Sequence, residues 1–133
     1  MSQYTGPNDD DPAGVATAYF AAIKGHDADA LRRLFAREAE LVTGGLSVRG
    51  ADAIADFYTT GAFTYDDLLP SPRPLEVDGD TVHVVIDLHM GGADHVVADT
   101  FRITDGKIQR LEIEFLTDDV LESMRKNQRG SDS

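Results

Sequence analysis

A carboxyl group set among apolar neighbours on a strand is the feature of this sequence best suited to chemistry. Asp99 lies in a run where period 2 puts His95, Val97, Phe101 and Ile103 on its own side and Arg102 on the other. If that side faces an interior, loss of water raises the carboxyl pKa and turns the acid into a hydrogen-bond donor at neutral pH. Perturbed carboxyls gather at functional sites, although an aspartate paired with His95 or a water gives the same pattern. His95 stands four residues before Asp99, about 13 Å along a strand. Imidazole titrates near neutrality, so His95 is either a general base near a pocket mouth or an exposed residue beside the Gly91–Gly92 turn.

The other titratable residues make weaker cases. His83 and His89 share parity with Asp87 and alternate with Val84, Ile86 and Leu88. The three aliphatic residues are the expected pocket liners, and the histidines point away from the pocket. Two histidines with Asp87 could hold a metal, but residues two apart on a strand are a weak pattern, and no metal is expected. Glu40 points opposite to Leu41 and Thr43, which makes it a poor base. Asp66 and Asp67 read as solvated acids in a loop over the pocket entrance. Arg49 is a rim or surface charge, and His26 a structural residue at a helix junction.

Composition narrows the function further. The chain has 133 residues, no cysteine, and a formal net charge of -12. Such acidity argues against nucleic acid, whose binding needs Lys and Arg against phosphate, and against an anionic membrane surface. Without cysteine there is no disulfide framework, thiol nucleophile or cysteine zinc site. No apolar run approaches the ~20 residues of a membrane span. Met1 to Asp11 is polar and acidic, unlike a secretory leader, so the expected location is cytoplasmic. The expected organisation is a flexible lead (1–11), one domain (12–126) and a flexible tail (127–133).

The elements that must position these residues follow from periodicity. Asp9, Asp10, Asp11 and Pro12 form a helix start, and Val15, Ala18, Tyr19, Ala22 and Ile23 give one buried helical face up to a stop at Gly25. Asp27 caps a short helix with Ala28, Leu31, Leu34 and Phe35. Residues 39–43 predict a short strand broken by Gly44–Gly45. A third helix after Gly50 carries Ile54, Phe57 and Tyr58. The proline-rich stretch 69–74 predicts a loop or irregular edge. Strands are predicted over 75–78, 81–90, 94–104 and 107–117, with a hairpin turn at Thr104-Asp105-Gly106-Lys107. In the last strand Leu111, Ile113 and Phe115 alternate with Arg110, Glu112 and Glu114. Asp118 and Asp119 begin a last helical turn through Leu121 and Met124. Helices first and strands after is the α+β order, with helices on one face of a mainly antiparallel sheet. A strongly curved sheet would make this a cone, with Val97, Phe101 and the apolar parity of each strand lining its interior.

Three stretches carry a family resemblance. Val15 to Phe35 (VATAYFAAIKGHDADALRRLF) resembles the first two helices of ketosteroid isomerase-like proteins, Arg49 to Tyr58 (RGADAIADFY) their third, and Ala98 to Phe115 (ADTFRITDGKIQRLEIEF) their last hairpin. Together they cover roughly residues 13 to 116 and identify the chain with the ketosteroid isomerase and SnoaL-like branch of the nuclear transport factor 2 superfamily. The resemblance implies a cone-shaped α+β fold, a pocket for a small apolar carbonyl compound, a homodimer through the outer sheet face, and no metal or organic cofactor. It places Tyr19 as the oxyanion-hole tyrosine, Tyr58 as its supporting tyrosine and Asp99 as a protonated second donor. Tyr19 also fits a simple packing role, since a buried tyrosine normally finds a partner for its hydroxyl. The family's aspartate base falls at Thr43, and threonine cannot shuttle a proton near neutral pH. Enolate chemistry of an isomerase, cyclase or dehydratase type and a non-catalytic ligand-binding or dimerisation module therefore both stand. Many activities share this fold.

Overall fold

The computed structural model describes residues 11–116. Helix α1 runs Pro12–Lys24; the Asp11 carboxylate accepts the Gly14 N–H at 2.7 Å, and proline occupies the first turn, where its missing N–H has no intrahelical partner. Its buried face carries Val15, Ala16, Tyr19, Phe20, Ala22 and Ile23. The helix stops at Gly25 as expected, but the left-handed residue is His26, with φ of 53°. Helix α2 is Ala28–Leu34, capped by Asp27. Phe35, expected in that helix, instead opens strand β1, Phe35–Thr43. A register shift against its partner between Phe35 and Glu40 breaks the alternation there, which hides the first half of the strand from a period-2 reading.

Gly44 and Gly45 do interrupt the chain, but as the turn of a hairpin into β2, Leu46–Arg49, a strand not foreseen from the sequence. Gly50 (φ 101°) then starts α3, Ala51–Thr60, from a conformation open to glycine. The remaining strands are β3 (Leu69–Pro72), β4 (Glu76–Asp78), β5 (Thr81–Met90), β6 (Ala93–Thr104) and β7 (Lys107–Leu116). Pro70 and Pro72 sit in β3 at the sheet edge, where a missing N–H is tolerated.

The sheet order is β2-β1-β7-β6-β5-β3, with β4 also paired to β5. The β1–β7 pair is parallel and the others antiparallel. Register shifts in β1 and at Arg102/Ile103 in β6 bend a sheet that does not close on itself. Three helices pack on one face of this mixed, curved sheet, the α+β arrangement expected.

Between the layers Leu31, Leu41, Ile54, Phe101, Ile103, Ile108 and Leu111 are fully buried. The Phe101 ring stands edge-on to Tyr19 and Phe20, with centroids 5.1 and 5.9 Å away. Phe101→Ala is expected to cost about 3–5 kcal/mol in urea unfolding, because it deletes a fully buried ring packed against Tyr19 and Phe20.

The other sheet face is wet. Glu40 accepts hydrogen bonds from Ser47 and Arg110 there, and Arg49 lies 3.8 Å from it, so Arg49 belongs to this face and not to a pocket rim. Asp87 pairs with Arg73 at 2.8 Å, and His83 meets Thr100, both away from the helices as parity requires. Among the described residues no group of three His, Asp or Glu could hold a metal, and no helix is long and apolar enough to cross a membrane. The expected lead through Asp10, the last helical turn and the tail lie outside the described residues.

Candidate functional site

Two tyrosines far apart in sequence meet because each lies on the buried face of its helix. Tyr19 of α1 and Tyr58 of α3 share a hydrogen bond of 2.5 Å between their hydroxyl oxygens. Either can donate. A chain of two hydroxyls uses one proton internally and leaves one O–H free, so the pair presents one donor to its surroundings. Burial, chiefly, pushes the pKa of both phenols up, with the nearby Asp99 charge adding to it, so both stay neutral.

Asp99 is the one buried charged-type residue among those described, at 4% exposure. It sits on β6 between Val84 of β5 and Ile113 of β7. Its Oδ1 has no hydrogen-bond partner. Burial without compensation pushes the carboxyl up to about 8, so at pH 7 most of it is the neutral acid, a donor. A buried polar atom without a protein partner is destabilising by itself, and a water or a ligand in the cavity supplies the partner it needs.

These three groups border one cavity of about 260 Å³. Its other walls are apolar: Phe20 and Ile23 from α1, Phe57 from α3, Ile86, Leu88 and Met90 from β5, Val97 from β6, and Ile113 and Phe115 from β7. Gly61, Ala62, Tyr65, Leu68 and Pro70 complete it, with Thr43 at the end of β1. Among the described lining residues the acid–base groups are Tyr19, Tyr58, Tyr65 and Asp99; none is a histidine, glutamate, lysine or arginine.

Thr43, Phe57, Ile86, Leu88, Val97, Ile113 and Phe115, read from the sequence as pocket residues, thus all border the cavity. Val84, Phe101 and Leu111 do not; they are buried in the packing around it. His95 does not line it either. Its Nε2 lies 3.3 Å from the Met90 carbonyl, and its ring stands edge-on to the lining residue Phe115 at 5.7 Å. Sequence reasoning missed Met90, although it shares parity with Ile86 and Leu88, and Phe20 and Ile23, which flank Tyr19 on its helix. Tyr65 and Leu68 carry no periodic signal that could have marked them.

This fold agrees with the comparisons to known proteins. The family model of the SnoaL-like domain matches residues 16–111, and the chain belongs to that family. A candidate polyketide cyclase from Sinorhizobium meliloti is 30% identical, with a TM-score of 0.69 over 74% of this chain and 92% of that one. A candidate ketosteroid isomerase from Kribbella flavida has a TM-score of 0.70 at 18% identity, covering 76% of this chain and 74% of its own. A nuclear transport factor 2-like protein from Cytophaga hutchinsonii, at 12% identity, has a TM-score of 0.70 over 85% and 94%. No curated protein matches the sequence. The fold is therefore nuclear transport factor 2-like.

Proposed function

We propose that the cavity takes up a small, mostly apolar carbonyl compound, of steroid- or polyketide-fragment character, and stabilises its enolate. The observation that carries this reading is the unpartnered Asp99 Oδ1, buried in the same cavity as the Tyr19–Tyr58 pair. One O–H from the tyrosines and one from the neutral acid give two donors for one oxygen. Donors held in a dry, preorganised site favour developing negative charge far more than the same groups in water. Tyr19 with Tyr58 behind it, and Asp99, are the proposed catalytic groups. Isomerisation, cyclisation and dehydration all pass through such an enolate, and none of these steps calls for a metal or an organic cofactor. The likeness to the candidate polyketide cyclase from Sinorhizobium meliloti, 30% identical, supports the same direction.

A second reading is favoured by one observation: Thr43 stands where the family resemblance places the base, and no other described lining residue is a histidine, glutamate or lysine that would replace it. Proton removal then falls to His95, which stands beside Phe115 outside the described lining, or to the substrate itself. A chain with donors and no base also suits a non-catalytic ligand-binding module. Binding of phenols graded in acidity tests the shared claim, since a phenolate imitates an enolate. Affinity is expected to rise with phenol acidity at pH 6.5; affinity indifferent to acidity would remove the enolate reading and leave the binding module.

The wet sheet face supports a further part of the proposal, the homodimer. Val42, Val85, Val96 and Ala98 are half-buried there, with no helix over them among the described residues. This strip is the proposed homodimer contact; a cytoplasmic location is proposed separately, from the polar, acidic character of the sequence. Sedimentation equilibrium is expected to give twice the chain mass, and Val85→Glu to give the single chain.

A further inference from the structure

We propose that residues 61–68 form a hinged lid over the cavity, latched shut by the Asp67 carboxylate on the β5–β6 turn. This segment joins α3 to the edge strand β3 and contains only a single 3₁₀ turn, Ala62–Thr64. Gly61, Ala62, Tyr65 and Leu68 line the cavity, yet Tyr65 is 43% exposed, so the segment is one layer thick between ligand space and water. Phe115, also 43% exposed, marks the mouth from the β7 side.

The latch is made of polar contacts away from the cavity lining. The two Asp67 carboxylate oxygens accept the Gly91 and Gly92 N–H groups at 2.9 and 2.7 Å. Both glycines have positive φ (67° and 77°), which aims successive amides at one anion. A side chain at Gly91 would meet the Tyr65 ring at 3.1 Å, so the lid's aromatic lies directly on this turn. His89 braces the carboxylate: its Nε2 is 3.2 Å from Asp67 and its Nδ1 2.8 Å from Asp94, contacts that a protonated imidazole satisfies on both sides. A second tether joins His26 Nε2 to the Tyr65 carbonyl at 3.1 Å.

The hinge is Gly61. A Cβ there would sit 3.0 Å from the Phe57 carbonyl oxygen, so the bend leaving α3 is one that glycine accommodates. The far end enters a four-residue edge strand. Exposed ionic contacts are individually weak, so the lid opens readily and often, while the buried Leu68 draws it back. Asp67 and His89 thereby set the rate of ligand passage without touching the ligand.

The role as a gate rests on the cavity taking up a small molecule, but lid opening is measurable without one. Amide exchange of Thr64, Tyr65 and Leu68 is expected to accelerate roughly tenfold in Asp67→Ala, and less in His89→Gln, with β6 and β7 amides unchanged. Stopped-flow binding of 2-naphthol is expected to show association and dissociation both about tenfold faster, with Kd within about twofold. Unchanged exchange in these lid amides, or a changed Kd at constant association rate, overturns the latch. If 2-naphthol does not bind wild type, the cavity reading fails, and exchange alone decides whether the lid moves. Asp67→Asn, which keeps one acceptor oxygen, serves if the alanine variant does not fold.

Discussion

Asp99→Asn is expected to make the protein more stable than wild type at pH 9 by about 5 kcal/mol, and nearly equal to it at pH 4. The sign follows from proton linkage. In the fold burial holds the carboxyl at about 8, whereas in the unfolded chain it titrates near 3.9. Between those values the folded state keeps a proton that the unfolded state has lost, so wild-type stability falls as pH rises across that window. About four units at about 1.4 kcal/mol each give the magnitude. Asparagine has the same shape and does not titrate, so the variant lacks this slope. Urea unfolding at pH 4, 7 and 9 reads the effect directly. Parallel pH profiles for the two proteins would mean that Asp99 is ionised in the fold.

Tyr19→Phe is expected to weaken binding of an acidic naphthol by roughly 10- to 100-fold at pH 6.5, the worth of a hydrogen bond to a charged oxygen. It is also expected to flatten the dependence on phenol acidity. Tyr58→Phe removes only the support behind Tyr19 and should cost about fivefold or less. The two losses should not add, because the hydroxyls act as one chain with a single outward proton. Equal affinity in wild type and Tyr19→Phe would make the tyrosine a packing residue. Binding should also weaken above pH 8 in wild type, as Asp99 loses the proton it donates.

Much of this site was legible in the sequence because it rests on regular elements. Asp99, Val97, Ile113 and Ile86 follow from period 2 in strands whose pairing is uninterrupted around them. Tyr19 and Tyr58 follow from helical faces, and their roles from the family resemblance. The failures have physical causes. Phe35 reads as the last turn of α2 because its helical spacing is good; the parallel pairing of β1 to β7, a contact distant in sequence, overrides it. Strand β2 is four residues long and mostly exposed, so it has no apolar alternation to detect. Val84, Phe101 and Leu111 share parity with cavity residues but lie where the layers close on each other, and parity cannot say how deep along a strand a cavity extends. Asp67 reads as a solvated loop acid because its partners, the Gly91 and Gly92 amides, are backbone groups 24 and 25 residues away.

The most direct test of the central claim is infrared difference spectroscopy of wild type against Asp99→Asn, titrated from pH 5 to 10 without ligand. A carbonyl band of a protonated carboxylic acid, present at pH 7 and lost with a midpoint near 8, is the expected result. On binding a naphthol the band should shift, as the acid donates to the ligand oxygen. A carboxylate signature already complete at pH 6 would contradict it, for Asp99 would then be an anion that repels the enolate it is proposed to hold.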